Sequence, residues 1–178
     1  TRTDYTKYSI DELGLNANPI QQFETWFHHA LSSKVNEVNA MVLSTVSENG
    51  IPSGRVLLLK GVEKDGFTFF TNYTSDKAEQ IENNNNVALN FYWPELERQV
   101  RISGVAQKIS AKKSDTYFKS RPRESQMGAW VSEQSKVINL YHSFMDTLNK
   151  LESTFKEKEV ERPLHWGGYS ISPNKVEF

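Results

Sequence analysis

The chain has 178 residues, 37% of them hydrophobic and 24% charged, which is enough for one domain with a sizeable core. Its 21 basic and 22 acidic residues give a formal net charge of −1, so no general field attracts nucleic acid or a membrane, and any anion site must be local. The lack of cysteine excludes disulfides, thiolate catalysis and cysteine-bound metal, and the four histidines show no metal-binding spacing. With no membrane-length apolar run and no signal-peptide pattern, we expect a single cytoplasmic domain, residues 1–178, without a bound metal.

The first part of the chain predicts a tail and then a helix. Residues 1–17 are polar and irregular, so we expect a flexible N-terminal segment in which Arg2 and Tyr5 are the strongest recognition side chains. Asn18 followed by Pro19 is typical of a helix start, because a capping side chain precedes a proline in the first turn. Apolar residues then recur at helical spacing, which predicts an amphipathic helix.

From Ala40 the apolar period changes to two, which predicts antiparallel strands joined by short turns. The expected strands cover residues 41–46, 51–60, 67–71, 87–93 and 98–109, with a bulge at Gly54 and a short helix from Ser75 to Ile81. Further helices are predicted over 111–119 and 141–155, and a returning strand over 166–172 before a turn at Pro173 and Asn174. Since closure removes the exposed edges of such a sheet, we expect a barrel, and a fold class that is mainly β with flanking helices (α+β).

The segment 121–135 places two guanidinium groups around Pro122, followed by hydroxyls and amides. Proline keeps Arg121 out of the α region, so the two arginines cannot simply continue the preceding helix. Guanidinium forks suit phosphate or carboxylate, and neutral hydrogen-bonding groups follow at Ser125, Gln126, Gln134 and Ser135. An isolated Arg-Pro-Arg is more typical of a solvated loop, so this segment alone does not decide between a loop and an anion site.

Several cationic or amide side chains stand at or just beyond the ends of predicted strands, namely Arg55, Lys60, Lys77, Gln99, Arg101 and Arg121. Arg55 and Lys60 are an odd number of residues apart, so a regular strand places them on opposite faces, whereas a bulge could bring them together. Lys77 follows a predicted helix cap, where free backbone N–H groups and the helix dipole favour a phosphate. Each of these is ordinarily a surface residue, but together with Arg121 and Ser135 they could hold two separate phosphates.

The sequence closely resembles the pyridoxine/pyridoxamine 5′-phosphate oxidase family, whose motifs occur in the family's order along nearly the whole chain. The matching motifs are Arg55-Val-Leu-Leu-Leu-Lys60, Phe70-Thr71-Asn72, Ser75-Asp76-Lys77-Ala78, Leu96-Glu-Arg-Gln-Val100, Tyr117-Phe-Lys-Ser-Arg-Pro-Arg-Glu-Ser125, Gly128-Ala-Trp-Val-Ser-Glu-Gln-Ser135 and Trp166-Gly-Gly168. The resemblance implies an FMN-binding split β-barrel, antiparallel and Greek-key-like. It also implies a homodimer in which two subunits share each FMN.

The resemblance implies roles for individual residues as well. Arg55, Lys77, Gln134 and Ser135 would bind FMN, chiefly its phosphate and ribityl chain. The flavin would be lined by Val56, Leu57, Leu58, Leu59 and Lys60, together with Arg55, Phe70, Thr71, Gln99 and Trp166. The substrate phosphate would be held by Lys60, Tyr117, Arg121 and Ser125, while Arg2 and Tyr5 would belong to a segment that closes over it.

The implied activity is oxidation of pyridoxine 5′-phosphate or pyridoxamine 5′-phosphate to pyridoxal 5′-phosphate, in its biosynthesis and salvage. A hydride passes from C4′ to N5 of FMN, and O2 is then reduced to H2O2; no side chain is expected to act as a strong general base. The alternative is a split-barrel protein that binds flavin or pyridoxal phosphate without turnover. A nucleic-acid-binding barrel is disfavoured, since the net charge is −1 and no basic stripe is present.

The chain departs from the family pattern in two places. The family's Trp-Gln-Gly and Arg-Leu-His-Asp-Arg motifs, which contact substrate and flavin, would follow Phe178, so slow turnover is expected of these residues alone. Asp76 stands where the family usually has Arg or Lys, so weaker FMN binding is expected.

Overall fold

The computed structural model describes Asp4 and residues 14–63, 66–137, 141–156 and 158–178, so Arg2 and Tyr5 lie outside the described residues. The helices are α1 (Pro19–Ser32), α2 (Asp76–Asn83), α3 (Ala111–Ser120), α4 (Arg123–Val131) and α5 (Tyr141–Thr154), and a 3-10 turn covers Pro94–Leu96. The strands are β1 (Ala40–Val46), β2 (Pro52–Leu58), β3 (Gly61–Glu63), β4 (Gly66–Asn72), β5 (Asn86–Trp93), β6 (Arg98–Lys108) and β7 (Trp166–Glu177). No helix of the described residues is long and apolar enough to cross a membrane.

The strands form one seven-stranded sheet in the order β2-β1-β5-β6-β7-β4-β3. All neighbouring pairs are antiparallel. The sheet curls into a half-barrel, and its two end strands, β2 and β3, do not pair with each other in the described residues. The expected antiparallel, mainly β architecture is therefore confirmed, but hydrogen bonds do not close the barrel.

Helix α1 covers the inner face of the sheet and builds the main core. It begins where predicted, because the side chain of Asn18 accepts hydrogen bonds from the backbone N–H groups of Ile20 and Gln21. Phe23 is fully buried, with ring centroids 4.9 Å from Phe67 and 5.0 Å from Phe91, both in edge-on geometry. Truncating such a buried aromatic side chain to alanine typically costs about 3–5 kcal/mol. The aromatic face of α1 therefore fixes the helix against β4 and β5.

A second, smaller core joins α3, α4 and the start of β7. Phe118, Met127 and Trp166 are buried in it, and Phe70 and Tyr117 pack against it. Because these residues come from separate parts of the chain, this cluster brings the 121–135 segment against the end of β4. The functional candidates lie here.

Three further sequence expectations differ from the structure. Gly54 pairs regularly with Ser44, so the predicted bulge is not there; the sheet has its irregularity between Ser103 and Gly104 in β6. That irregularity lies opposite Pro173, and a bulge tolerates a proline, so β7 continues through the predicted turn.

The third difference is α4, a helix that was not predicted and that occupies most of the segment 121–135. Pro122 has extended backbone angles (φ −52°, ψ 143°) and stands immediately before the first helical residue, Arg123. Proline is well suited to the start of a helix, since its missing N–H has no intrahelical partner there. The same residue that ends α3 therefore begins α4.

Candidate functional site

A cavity of about 370 Å³ lies between the end of β4, helices α3 and α4, and the start of β7. It brings together eight of the residues singled out from the sequence: Lys60, Phe70, Thr71, Tyr117, Arg121, Ser125, Gln134 and Trp166. It is also lined by Asn72, Gly128, Ala129 and Ser132. The described lining contains no carboxylate and no histidine, so its ionisable groups are a lysine, an arginine and a tyrosine.

Three parallel aromatic rings form one wall of the cavity. The Phe70 ring centroid lies 3.8 Å from that of Tyr117 and 5.4 Å from that of Trp166, with interplanar angles of 15° and 11°. Gly168 pairs with Phe70 across β4 and β7, and a Cβ at this position would come within 2.9 Å of the Phe70 ring. The glycine thus leaves room for Phe70 to stack, and the stacked rings offer flat apolar surface to a planar ligand.

Arg121 presents a cation to this wall. Its Cζ lies 4.5 Å from the Trp166 ring centroid and 5.6 Å from that of Phe118. Its Nη1 is buried and has no hydrogen-bond partner among the described residues. Burial lowers the pKa of Arg121 from its ordinary value. Since an unpaired buried donor on a charged group is costly, the site favours an anion that accepts this hydrogen bond.

The corner between α3 and α4 holds Arg121 in place. The Nε2 of Gln126 lies within hydrogen-bonding distance of three backbone oxygens, at 3.0 Å from Phe118 O, 3.2 Å from Lys119 O and 3.1 Å from Arg121 O. The sequence suggested Gln126 as one of several groups for a ligand. The structure uses this buried amide to satisfy the last carbonyls of α3 instead.

A second cationic cluster lies next to the cavity and is built around Lys77, which is only 5% exposed. Its ammonium donates to Gln134 Oε1 at 3.0 Å, Ser75 Oγ at 3.1 Å and Thr71 Oγ1 at 3.2 Å. All three acceptors are neutral. Burial, and then the nearby charge of Arg55, lowers the pKa of Lys77 to about 8.

Arg55 approaches the same cluster from β2. Its guanidinium donates to Thr45 Oγ1 at 2.6 Å, Ser53 Oγ at 2.8 Å and Leu43 O at 3.1 Å. Burial lowers the pKa of Arg55, and the charge of Asp76 acts in the opposite direction. Asp76 has the same opposing effect on the pKa of Lys77, so one carboxylate lies near both cations.

The N-terminus of α2 adds free backbone donors to this cluster. Ser75 occupies the N-cap position but makes no side-chain capping bond. Its hydroxyl donates to Asn72 O at 2.7 Å and accepts from Lys77. The first N–H groups of α2 therefore lack a side-chain partner, and they lie beside two cations.

Gln134 connects the two clusters. Its Oε1 accepts from Lys77 and from Thr71 Oγ1 at 3.0 Å, and its side chain also lines the cavity. Asn72 fixes the preceding turn, because its Nδ2 donates to Ser132 O at 3.1 Å. A cationic pocket at α2 and a cationic cavity beside Arg121 are thus joined through one amide.

The remaining predicted residues lie outside the cavity. Leu59 is in the main core, Leu57 packs against that core, and Ser135 follows Gln134 in left-handed backbone geometry (φ 70°). Val56, Leu58 and Gln99 lie on the exposed side of the sheet. Val56, Leu58 and Gln99 are therefore not among the residues of the same chain that line the cavity beside Arg121.

Sequence reasoning missed four lining residues for two reasons. Asn72 stands at a strand end, where its side chain reaches the 132–134 turn, and its place in a matched motif was a usable signal. Gly128, Ala129 and Ser132 were missed because α4 was not predicted. They carry no charge or ring, but they belong to the matched motif Gly128–Ser135, which was also a usable signal.

Comparisons with known proteins show the family to which the chain belongs. The family model for pyridoxamine 5′-phosphate oxidase matches residues 27–155. The pyridoxine/pyridoxamine 5′-phosphate oxidase 2 of Hydrogenovibrio crunogenus is 51% identical over 177 residues, covering 99% of this chain and 83% of that protein.

Two solved structures share the fold. PhzG from Burkholderia lata 383, in complex with tetrahydrophenazine-1-carboxylic acid, is similar with a TM-score of 0.89 and 23% identity over 96% of this chain and 84% of that one. A pyridoxamine 5′-phosphate oxidase-related, FMN binding protein from Nostoc punctiforme has a TM-score of 0.69 and 20% identity over 91% of this chain and 84% of that one. The predicted split-barrel fold is confirmed, and the sequence match shows that the chain belongs to the pyridoxamine 5′-phosphate oxidase family.

Proposed function

We propose that the protein oxidises pyridoxine 5′-phosphate or pyridoxamine 5′-phosphate to pyridoxal 5′-phosphate with FMN as cofactor. The observation that supports this most directly is the pair of cationic clusters joined by Gln134 beside a stack of parallel rings. In this reaction the cofactor and the substrate are both planar, each carries one phosphate, and their rings must stack on each other. Two linked anion sites meet that need.

The cluster at the start of α2 suits the phosphate of FMN. Lys77, Arg55 and the uncapped N–H groups of α2 supply charge-assisted and dipolar donors, and Gln134 and Ser135 adjoin them for the ribityl chain. When bound, FMN supplies the acceptor for the hydride that leaves C4′ and passes the two electrons to O2, which becomes H2O2.

The cavity beside Arg121 suits the phosphate of the substrate. Arg121 has a free buried donor, and Lys60, Tyr117 and Ser125 line the same space. With the phosphate held there, the side chains fix where C4′ lies, and this positioning contributes to the rate without a proton transfer by the protein. The lack of a carboxylate or histidine in the described lining agrees with a binding role for these residues.

We propose that the working form is a homodimer built on the exposed face of β1, β2, β5 and β6. Val42 and Val56 are paired across β1 and β2, and they are 36% and 66% exposed. Tyr92 is 56% exposed and pairs with Gln99 on the same side of the sheet. A second copy on this apolar surface would bring Gln99 and the residues of β2 towards a flavin that a single chain leaves incompletely enclosed.

The test is an anaerobic titration of the purified, flavin-loaded protein with pyridoxamine 5′-phosphate, followed by visible absorbance. We expect the flavin band to bleach and to return when O2 is admitted; water hydrolyses the imine formed from the amine, so pyridoxal 5′-phosphate, ammonia and H2O2 should form in equal amounts. Pyridoxamine without its phosphate is the control and should react far more slowly. Flavin that stays bound and unbleached would support the alternative, a binding protein without turnover.

A further inference from the structure

Two side chains that have no part in the function proposed above hold the guanidinium of Arg55 in place, namely Thr45 on β1 and Gln80 on α2. The hydroxyl of Thr45 accepts a hydrogen bond from Arg55 Nη1 at 2.6 Å and donates one to Gln80 Oε1 at 2.5 Å. Gln80 Oε1 also accepts from Arg55 Nη2 at 3.3 Å. The three side chains therefore form a triangle of hydrogen bonds between the sheet and the helix.

Thr45 is a polar residue at a core position of β1. It is fully buried, and its neighbours on the same face of the strand, Met41 and Leu43, belong to the main core. Valine has nearly the same shape and would suit such a position better, because a buried hydroxyl costs free energy unless it is hydrogen-bonded. The hydroxyl is thus explained by its bonds to Arg55 and Gln80.

Arg55 needs support because a second cation lies near it. Burial, and then the charge of Arg55, lowers the pKa of Lys77, so the two cations repel each other. A guanidinium on a flexible side chain would turn away from a like charge towards water, but neutral acceptors on Thr45, Gln80 and Ser53 hold it. Its Nε has no hydrogen-bond partner among the residues that the structure describes, which leaves a donor for an anion.

Gln80 is the member of this triangle that belongs to α2. The same helix carries Lys77 in its first turn and begins with N–H groups that lack a side-chain cap. The bond from Gln80 to Arg55 therefore sets the position of a cation on the sheet relative to the donors of the helix. A phosphate bound by both gains from this arrangement, because preorganised donors lose less freedom when the ligand binds.

We propose that Thr45 and Gln80 are positioning residues for the phosphate of FMN. They act through Arg55, which they keep beside Lys77 in the empty protein, and they thereby contribute to a preference for FMN over riboflavin, the same flavin without a phosphate. They have this role only where the cluster at α2 holds the cofactor phosphate, so the inference rests on the function proposed above.

The test is a titration of the apo-protein with FMN and, separately, with riboflavin, followed by quenching of flavin fluorescence. We expect the wild type to bind FMN more tightly than riboflavin. Thr45→Val keeps the shape of the side chain and removes both of its hydrogen bonds, so FMN affinity should fall about tenfold while riboflavin affinity is unchanged. Thr45→Ser keeps the hydroxyl and should recover most of the FMN affinity.

Substitutions of Gln80 test the same role at a half-buried position, where a change disturbs the core less. Gln80→Met removes the acceptor and should weaken FMN binding severalfold. Gln80→Glu should weaken it further, since a carboxylate there pairs with Arg55 and repels the phosphate. Gln21→Met, which changes an exposed glutamine on α1, is the matched control and should alter neither flavin's affinity.

A double-mutant cycle separates positioning from a general structural effect. In a protein that already carries Arg55→Met, Thr45→Val should have no further effect on FMN affinity, because the group that Thr45 positions is gone. Equal loss of FMN and riboflavin affinity in Thr45→Val, equal loss in Thr45→Ser, or additive effects in the cycle would each overturn the positioning role.

The wild type separates failure of this inference from failure of the proposed function. Equal binding of FMN and riboflavin by the wild type would overturn the assignment of the α2 cluster to the cofactor phosphate, and the positioning role with it. A wild-type preference for FMN that persists unchanged in Thr45→Val and in both Gln80 variants would overturn the positioning role alone.

Discussion

Lys77 and Arg121 carry positive charges that the described structure leaves without an opposite charge in hydrogen-bonding contact. Lys77 has three neutral acceptors, and Arg121 has aromatic rings and an unpaired N–H. Burial of this kind costs free energy in the empty protein, and a bound anion offsets the cost. Such residues therefore lower the stability of the apo-protein and raise its affinity for an anionic ligand.

Replacing Lys77 tests this relation directly. Lys77→Met keeps the length of the side chain and removes its charge, so we expect the apo-protein to gain about 1–3 kcal/mol of unfolding free energy at pH 7. FMN binding should be lost, because the phosphate loses its buried cation. Denaturant melts and FMN titrations measure the two effects. Lys119→Met, an exposed lysine paired with Glu159, should change neither.

The same lysine predicts how apo-protein stability depends on pH. In the folded state the pKa of Lys77 is about 8, below its ordinary value of 10.5 in an unfolded chain. Between these two values the unfolded chain holds more protons, so unfolding free energy should rise as pH increases from about 8 to about 10.5. Comparing melts of the wild type with those of Lys77→Met isolates this contribution. A rise that is identical in both proteins would assign it to other groups.

Arg121 should act on substrate and not on cofactor. Arg121→Ala removes the free guanidinium donor, so we expect binding of the phosphorylated substrate to weaken by ~2–4 kcal/mol while FMN content is unchanged. The matched control is Arg123→Ala, since Arg123 donates to the backbone oxygens of Phe155 and Lys158 and does not line the cavity beside Arg121 as the structure describes it. It should lower stability and leave affinity unaltered. Loss of FMN and substrate affinity together in Arg121→Ala would show that Arg121 is structural.

At the scale of elements, the start of α2 combines two opposed effects. Asp76 is exposed in the first turn, where a carboxylate stabilises a helix by about 0.3–1 kcal/mol. It also lies near Arg55 and Lys77, where it reduces the attraction for an anion. We expect Asp76→Arg to tighten FMN binding by ~1–2 kcal/mol and to lower apo-protein stability slightly.

Two measurements separate the effects of Asp76→Arg, namely titration of the apo-protein with FMN and melting of both apo forms. Glu79→Arg is the control, because Glu79 is also in the first turn of α2 and exposed. It should share the loss of stability without the gain in affinity. Unchanged or weaker FMN binding in Asp76→Arg would mean that Asp76 affects only the helix.

The elements that were predicted correctly are those whose own residues show a clear capping pattern or a regular apolar period. Helix α1 has a cap, a proline and a regular apolar face, and β5 alternates between buried and exposed positions. Helix α4 was missed because its small and amide side chains give little periodicity and its buried face exists only once α3 and Trp166 pack against it. Tertiary packing, and not the local sequence, determines whether such a segment forms a helix.

Some features of the candidate site could be predicted from the sequence, and others could not. Charged residues such as Lys77 and Arg121 were found from the sequence because a cation beside a helix start or a proline is a visible pattern. The unpaired Nη1 of Arg121 and the connecting role of Gln134 depend on distances between segments far apart in the chain. No spacing along the chain contains that information.

At the scale of the whole molecule, the open half-barrel leaves β2 as an end strand with apolar residues facing outward. Long exposed end strands invite pairing or coverage by another chain, and Arg55 projects from this same strand into the cluster at α2. If a second copy covers the β2 face, the shape of the FMN site depends on the dimer. We therefore expect dilution to the monomer to release FMN.

Val56→Asp tests this dependence. Val56 is 66% exposed, so a charge there should leave the fold of the single chain intact while it disrupts an apolar interface. We expect a shift from dimer to monomer in analytical ultracentrifugation, with loss of FMN at the same protein concentrations. Leu15→Asp is the matched control, since Leu15 is 55% exposed but does not belong to the sheet. It should remain dimeric and yellow. A Val56→Asp monomer that retains one FMN per chain would show that each chain binds its cofactor alone, and the proposed dimer would then have no part in the site.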